Sequence, residues 1–332
     1  MTFSIVAVDP ATGEIGAAVQ SHFFAVGRRC LSVLPGTGAV ASQAFGDAGH
    51  GPLALDALSQ RGADPARVLR RLMAGDENRE LRQVMVIDPS GAAAAHTGSG
   101  CIGHAGHRIG DGVAAAGNTL SGPHWHDMVD AYRDTPGPIE QRLLAALAAA
   151  QTAGGDLRGM MSAALKVVGP ERTRWPQPGT RLDLRVDHHP TPIEELSRLA
   201  ALSAAHRRLT AGVLAPGRIV GTGAAPIDDT NAPAILDDLA EAQHAFGDDP
   251  EPTFWRGVVA ARVGRDALAA ACFARAVALH PPYEQLAGAL ERAGRLRLPP
   301  GGLRALLAAH PDAPPPTTVQ SGRNGQMETP ST

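Results

Sequence analysis

The chain has few aromatic residues, few cysteines and no long apolar run. Only 4% of its 332 residues are aromatic, so a core must be built mainly from Ala, Val and Leu. The three cysteines are odd in number and widely separated, which excludes a disulfide framework and fits a reducing compartment. No apolar run is long enough to span a bilayer, and no signal-peptide pattern precedes the first strand. We therefore expect a cytoplasmic protein without a membrane segment.

The chain also lacks an excess of basic charge. It has 30 basic and 33 acidic residues, with no basic stripe interleaved with aromatics, so no nucleic-acid partner is expected. Possible zinc ligands are present at Cys101, His104, His107, His124 and His126. They lack paired-cysteine spacing and an accompanying carboxylate, so we predict no metal. Gly98–Gly103 matches a dinucleotide-binding pattern, but no helix follows it, so no cofactor is predicted. A small-molecule substrate remains the expected partner.

The hydrophobic pattern predicts strands and helix pairs in alternation. Phe3–Val8 and Ile15–Val19 flank the turn Asp9–Gly13 and predict a β-hairpin. Further strands are predicted at 38–43, 83–87, 92–97, 108–109, 113–116, 163–168 and 182–186, and helices at 52–60, 64–72, 123–133, 139–152 and 192–210. Because helices do not alternate singly with strands, a doubly wound parallel sheet is disfavoured. The pattern indicates an α+β fold, a four-layer αββα sandwich of two antiparallel sheets covered by helices.

The pattern changes in the C-terminal third of the chain. We predict a sandwich domain over residues 1–212, a linker over 213–233, a helical module over 234–310 and a disordered tail over 311–332. Within the module, the spacing of one tetratricopeptide repeat is matched by Gly257, Gly264, Ala269, Phe273, Ala276 and Pro281. A lone repeat cannot bury its own face, so it should dock on the main domain or on another subunit. A homo-oligomer is therefore expected.

Thr2 is the first candidate for chemistry. Removal of Met1 before so small a residue would leave Thr2 with a free α-amine, which titrates near neutrality. Such an amine can act as general base for the hydroxyl of the same residue. Many proteins begin with Met-Thr, so the dipeptide alone is a weak signal.

The hypothesis that Thr2 is catalytic is strengthened by short motifs spread over residues 1 to about 210. They lie at 21–27, 38–44, 95–98, 106–112, 117–118, 151–159 and 183–190. Together they resemble the family called domain of unknown function 1028, within the superfamily of N-terminal-nucleophile hydrolases. The opening of the chain is also similar to proteasome-like members of that superfamily. The resemblance implies the four-layer fold and Thr2 as nucleophile.

Two segments depart from the expected family pattern. Where Arg-Gly-Lys-Gln-Ser is expected, Met160 and Met161 replace the Lys and the Gln, and His188 stands within an expected Asp-Asp-His run. If those polar groups touched substrate, specificity or activity has changed. The C-terminal helices also resemble a module of the peptidoglycan-binding type that is often appended to the family. Without an export signal, a packing role is favoured for it.

The remaining site residues are predicted from these motifs. Gln43 and Asn118 each end a strand of small residues and are candidate donors to an oxyanion. The alternative is that each satisfies a local turn. The predicted substrate-binding residues are Ser21, His96, Asp156, Arg158 and Asp187. Asp156 and Arg158 could anchor a polar substrate or pin their own loop, and His96 is favoured as a hydrogen-bonding strand residue rather than as a base.

The predicted activity is hydrolysis of a C–N bond in a small amide, cyclic amide or ureide, with Thr2 forming a covalent ester. Two alternatives stay open. The chain could be a catalytically silent small-molecule-binding protein of the same fold, or an assembly protein that acts through its helical tail.

Overall fold

A computed structural model describes residues 2–173 and 175–310. The chain divides into two compact units, which meet between Ala200 and Ala201. The predicted tail, 311–332, lies outside the described residues. No helix in the described ranges is both long and apolar enough to cross a membrane.

The first unit contains the strands and the earlier helices. The strands are β1 (Thr2–Val8), β2 (Ile15–Ser21), β3 (Leu31–Leu34), β4 (Gly38–Ala44), β5 (Arg82–Ile87), β6 (Ala93–Thr97), β7 (His104–Gly110), β8 (Val113–Leu120), β9 (Ser162–Val168) and β10 (Thr180–Val186). The helices are α1 (Val26–Cys30), α2 (His50–Leu58), α3 (Pro65–Ala74), α4 (Trp125–Asp134), α5 (Ile139–Thr152), α6 (Pro176–Gly179) and α7 (Pro192–Leu209), the last of which continues into the second unit.

The strands form two antiparallel sheets. Sheet A has the order β10-β9-β2-β1-β8-β7, and sheet B has the order β3-β4-β5-β6. The predicted hairpin is confirmed: β1 pairs with β2, and the turn between them closes with a 2.8 Å bond from the Gly13 amide to the Asp9 carbonyl. Strands β7 and β8 are longer than predicted, because the added segments contain Gly106, Gly117 and Asn118, which have little intrinsic strand preference and join the strands through pairing.

Successive residues of each strand serve different layers. On β1, Val6 and Val8 join a cluster with Met85 and Ile87 of β5, between the sheets. Their neighbour Ile5 packs with α4, α5 and α7 on the outer face of sheet A. On sheet B, the outer face is covered by α2 and α3. The inter-sheet cluster is built largely from small side chains, among them Ala17, Ala39, Ala41, Ala114, Ala116 and Ala164.

The second unit is helical. Its helices are α8 (Ala232–Phe246), α9 (Glu251–Arg262), α10 (Asp266–Leu279), α11 (Tyr283–Arg292) and α12 (Gly302–Ala309). The crossing of α9 and α10 is tight, since a Cβ on Gly257 would lie 3.1 Å from the Phe273 ring. The predicted helical character of this region is confirmed, and its identity as a tetratricopeptide repeat stays a prediction.

The boundary between the units lies earlier than predicted. Leu209 and Val213, near the predicted boundary, are buried in the core of the second unit. Ile227, inside the predicted linker, belongs to that core as well. The apolar period of α7 continues without a break from one core to the next, so the sequence pattern gives no mark at Ala200.

A buried glutamine gives a test of this packing. Gln20 lies on β2 beside Phe3 and Ala163, fully buried, and neither atom of its amide has a partner among the described residues. An unpaired buried amide is costly, so Gln20→Met should raise the free energy of unfolding by about 1–3 kcal/mol. For a chain of this size, each kcal/mol corresponds to roughly 2–4 °C in Tm.

The matched control is Gln83→Met. Gln83 is equally buried, but its amide nitrogen donates to Thr97 Oγ1 at 3.0 Å and to the Gly106 carbonyl at 3.0 Å. This substitution should lower the Tm, because it leaves those acceptors unpaired. A Tm that falls in both variants would contradict the prediction for Gln20.

Candidate active site

The layer between the two sheets is apolar along most of its length and polar at one end. In sheet A, cross-strand neighbours form a row of Ser162, Ser21, Thr2 and Asn118. In sheet B, the corresponding row is Gln43, Gln83 and Thr97. We call these two rows the polar end. The sheet register alone therefore gathers residues that are far apart in the chain.

Thr2 lies at the centre of the polar end. Its side chain is 6% exposed, and its Oγ1 lies 3.0 Å from Ser21 Oγ. Its carbonyl oxygen accepts hydrogen bonds from Gln43 Nε2 and Asn118 Nδ2, each at 3.3 Å. Ser21, Gln43 and Asn118 are thus brought together around Thr2. Both amides are directed at the carbonyl of Thr2 itself, and their role as oxyanion donors stays a prediction.

A hydrogen-bond network fixes these two amides. Gln83 Oε1 accepts from Gln43 Nε2 at 2.7 Å and from Asn118 Nδ2 at 3.0 Å. Ser4 Oγ donates to Gln43 Oε1 at 2.6 Å. Buried networks whose members are paired hold their side chains in one arrangement. Sequence reasoning missed Gln83, although a single glutamine in the apolar strand β5 was a usable signal.

Backbone strain is concentrated around the same residues. Among the described residues of the first unit, three that are not glycine have a positive φ: Ala25 (53°), Ala44 (67°) and Thr119 (50°). Ala44 follows Gln43, Thr119 follows Asn118, and Ala25 ends the loop after Ser21. Such a conformation costs of order 1–3 kcal/mol and is least favourable for a β-branched residue. Strain of this kind clusters at functional sites, and here it surrounds Thr2.

The loop 22–25, between β2 and α1, is pinned by several predicted site residues. Asp156, whose side chain is fully buried, accepts from the His22 amide at 3.2 Å and pairs with Arg158 at 3.1 Å. The Ala25 amide donates to the Asp187 carbonyl at 3.1 Å. Of the two roles left open for Asp156 and Arg158, these contacts are of the loop-pinning kind.

Of the two methionines that depart from the family pattern, Met161 binds the end of β2 before this loop through its backbone. The Met161 amide donates to the Ser21 carbonyl at 3.2 Å, and the Met161 carbonyl accepts from His189 at 2.8 Å. The Met160 side chain packs against the core outside sheet A. His188 is exposed. Because both bonds of Met161 are main-chain bonds, they do not depend on which side chain stands at that position.

The structure does not bring His96 to Thr2. Its ring Nε2 lies 2.8 Å from the Arg79 carbonyl oxygen. Its cross-strand partner is Val84, which packs with α2 and α3 on the outer face of sheet B. Neighbouring strand residues point to opposite faces, so Thr97 is the one that faces the polar end.

A cleft of about 370 Å³ opens beside Thr2. It is lined by Thr2, Phe23, Val26, Arg29, Cys30, Ser42, Gln43, Ala44, Phe45, Gly46 and Arg82. This volume lies at the lower end of the range for small-molecule sites. Burial raises the pKa of the Cys30 thiol to about 12, so this thiol is protonated at neutral pH and is no rival nucleophile. Thr2 and Ser42 supply the hydroxyl groups among the residues that line the cleft.

A charged cluster that sequence reasoning missed supports one wall of the cleft. Asp76 binds Arg82 Nε at 2.7 Å and His50 Nε2 at 3.1 Å, and His50 Nδ1 lies 3.4 Å from Ser42 Oγ. Arg82 also donates to the Phe45 carbonyl. Ser42 neighbours Gln43 on β4, so its side chain points away from Thr2. The cluster therefore braces the connection from β4 to α2 and does not act on Thr2 directly.

The charge of Asp76 predicts a pH dependence. The hydrogen bond from Arg82 holds the pKa of this carboxyl below its ordinary value of 3.8. A lowered pKa contributes stability above that ordinary value, and the contribution is lost as the pH falls through the lowered one. Asp76→Asn should therefore lower the free energy of unfolding by about 2 kcal/mol at pH 7. The difference from wild type should shrink below about pH 4.

Urea unfolding of wild type and Asp76→Asn at pH 7 and at pH 3 measures the difference in free energy of unfolding at each pH. The control is Asp111→Asn, at an exposed turn position between β7 and β8 where asparagine is equally suited. It should change stability little at either pH. A loss at Asp76 of the same size at both pH values would contradict the linkage.

Comparison with known proteins places the chain in a family. Residues 2–196 match the Family of unknown function (DUF1028). The crystal structure of protein SPO2555 from Silicibacter pomeroyi, which carries the same family description, is 33% identical with a TM-score of 0.55. The match covers 63% of this chain and 89% of that one. None of the curated proteins matches. Since the family match spans more than half of the chain, as the sequence motifs predicted, the chain belongs to the DUF1028 family.

Proposed function

We propose that this chain is an N-terminal-nucleophile hydrolase that cleaves a C–N bond in a small amide, cyclic amide or ureide. The observation that carries the proposal is the position of Thr2, whose hydroxyl lies in a cleft at the polar end of the inter-sheet layer. The stacking of two sheets with helices on both outer faces supports assignment to the αββα fold of that superfamily.

The residues around Thr2 support a proposal for the general base. The chain has a single lysine, Lys166, which pairs with Asp183 at 2.9 Å. It lies four residues along β9 from Ser162, about 13 Å at 3.3 Å per residue. The residues that line the cleft include no histidine, aspartate or glutamate. The α-amine that removal of Met1 would expose on Thr2 is therefore the proposed base, and it titrates in the neutral range.

The proposed reaction has two stages. The amine takes the proton of Thr2 Oγ1, and the oxygen attacks the carbonyl carbon of the substrate. The C–N bond then breaks, and the leaving nitrogen takes the proton back from the ammonium, which leaves an ester on Thr2. In the second stage the amine deprotonates a water molecule that attacks the ester. The bond from Oγ1 to the acyl carbon breaks, Oγ1 takes the proton back from the ammonium, and the acid is released. Ser21 Oγ, 3.0 Å from Oγ1, orients the hydroxyl.

A second candidate function is binding without catalysis. It is favoured by one observation, that the amides of Gln43 and Asn118 are both engaged with the carbonyl of Thr2. An oxyanion needs donors aimed at the position where its charge develops. The two candidates differ in whether Thr2 forms a covalent bond.

Replacement of Thr2 separates them. Thr2→Ala should abolish turnover of amides and ureides, because no hydroxyl remains, and Thr2→Ser should retain part of it. An electrophilic amide mimic should add its mass to the wild-type N-terminal peptide and not to that of Thr2→Ala. Intact mass should show that Met1 is absent. A retained Met1, or turnover that survives in Thr2→Ala, would falsify the nucleophile assignment.

Gln43→Ala and Asn118→Ala test the two amides. Either substitution should lower kcat by about 10²-fold with little change in KM, as for the loss of an oxyanion donor. Loss of the bond to the Thr2 carbonyl would act in the same direction by displacing the nucleophile. The melting curve of each variant shows whether it is folded. A change confined to KM would assign the residue to ground-state binding instead.

A further inference from the structure

The charges that line the cleft are not balanced. Its lining contains two guanidinium groups, Arg29 and Arg82, and no carboxylate. Arg82 is neutralised from behind by Asp76 at 2.7 Å. Arg29 is exposed, and within the described ranges no carboxylate forms an ion pair with it. The cleft therefore presents one positive charge whose counterion is not supplied by these residues.

Arg29 is held in a fixed position by the helix that carries it. Helix α1 buries Val26 and Cys30. Gly27 packs so closely on β9 that a Cβ there would lie 2.2 Å from that of Ala164. This contact sets the rotation of α1 and turns Arg29 toward the cleft. The guanidinium carbon lies 5.7 Å from the centroid of the Phe23 ring, within the range of a cation–π contact.

Two aromatic side chains form apolar walls beside this charge. Phe23 is 45% exposed and Phe45 is 55% exposed, although most large apolar residues of the first unit are buried. The backbone of Phe45 is fixed, because its amide donates to the Leu81 carbonyl at 3.3 Å and its carbonyl accepts from Arg82. Exposed aromatic rings that line a cleft mark a binding surface for an apolar group.

We propose that the substrate is a small anionic amide, whose carboxylate is bound by Arg29 and whose flat apolar part lies against Phe23 and Phe45. A planar guanidinium forms two parallel hydrogen bonds with a carboxylate, which gives both affinity and orientation. The amide bond then lies between these groups and Thr2. The inference rests on the proposed function for the position of the reacting bond, and not for the binding of the anion.

The test uses binding alone, in the Thr2→Ala protein, so that no turnover is needed. The probes are N-benzoylglycine and its uncharged counterpart N-benzoylglycinamide, compared by calorimetric titration. The carboxylate should bind at least tenfold more tightly than the amide, and the preference should weaken as salt is raised. Arg29→Gln should remove the preference while leaving the affinity for the uncharged probe unchanged.

Arg28→Gln is the matched control. Arg28 is the exposed neighbour of Arg29 on α1 and does not line the cleft, so its replacement should keep the preference. Phe23→Ala and Phe45→Ala should lower the binding affinity of both probes by similar factors.

Three results would overturn the inference: no preference for the carboxylate, equal losses in the Arg28 and Arg29 variants, or no binding of either probe at millimolar concentration. A charge preference that persists alongside retained turnover in Thr2→Ala would reject Thr2 as the nucleophile and leave the anion site supported.

Discussion

The side chain of Gln83 joins the two sheets at the end where Thr2 lies. Gln83 lies in sheet B, and its partners lie in sheet A. Its Oε1 accepts a hydrogen bond from Asn118, and its Nε2 donates to the carbonyls of Gly106 and Gly117. The bonds to Asn118 and Gly117 are buried and the bond to Gly106 is partly buried, and each buried group left unpaired would cost about 1–3 kcal/mol. The sheets therefore cannot slide past each other without breaking several bonds together. The position of the Thr2 carbonyl depends on this one amide, through Gln43 and Asn118.

The loop between β2 and α1, which also borders the cleft, is held by hydrogen bonds as well. The loop 22–25 has no regular structure, yet Asp156 and Ser162 each bond to it, and the Met161 amide bonds to Ser21 directly before it. These hydrogen bonds offset the conformational free energy that the positive φ of Ala25 costs. The result is a cleft whose polar floor and aromatic rim are both held by buried partners. Sites with this degree of preorganisation favour chemistry that needs small distances to be kept.

The features that could be predicted from the sequence are those that depend on residues close together in the chain. The hairpin of β1 and β2, the helix 139–152 and the neighbourhood of Thr2 rest on short motifs and on period, and these are present in the structure. Gln83 and Arg29 were missed, because their roles arise only when two sheets or a helix and a loop meet. His96 was chosen over Thr97 because the face of a strand changes with every residue. The boundary after Ala200 was missed because one helix supplies apolar residues to two cores.

The alanines of the inter-sheet layer have a consequence for how such a protein can diversify. Ala39, Ala41, Ala114 and Ala116 leave little space between the sheets, and none of them lines the cleft. A larger bound molecule therefore cannot be accommodated by deepening the cleft, since a deeper cleft would require the two sheets to separate. Substitutions that reshape the cleft are therefore expected at its rim, in the loop after β2, helix α1 and the segment after β4, where they leave the packing between the sheets unchanged. The packing of the two sheets thus sets the depth of the cleft, and the rim sets its outline.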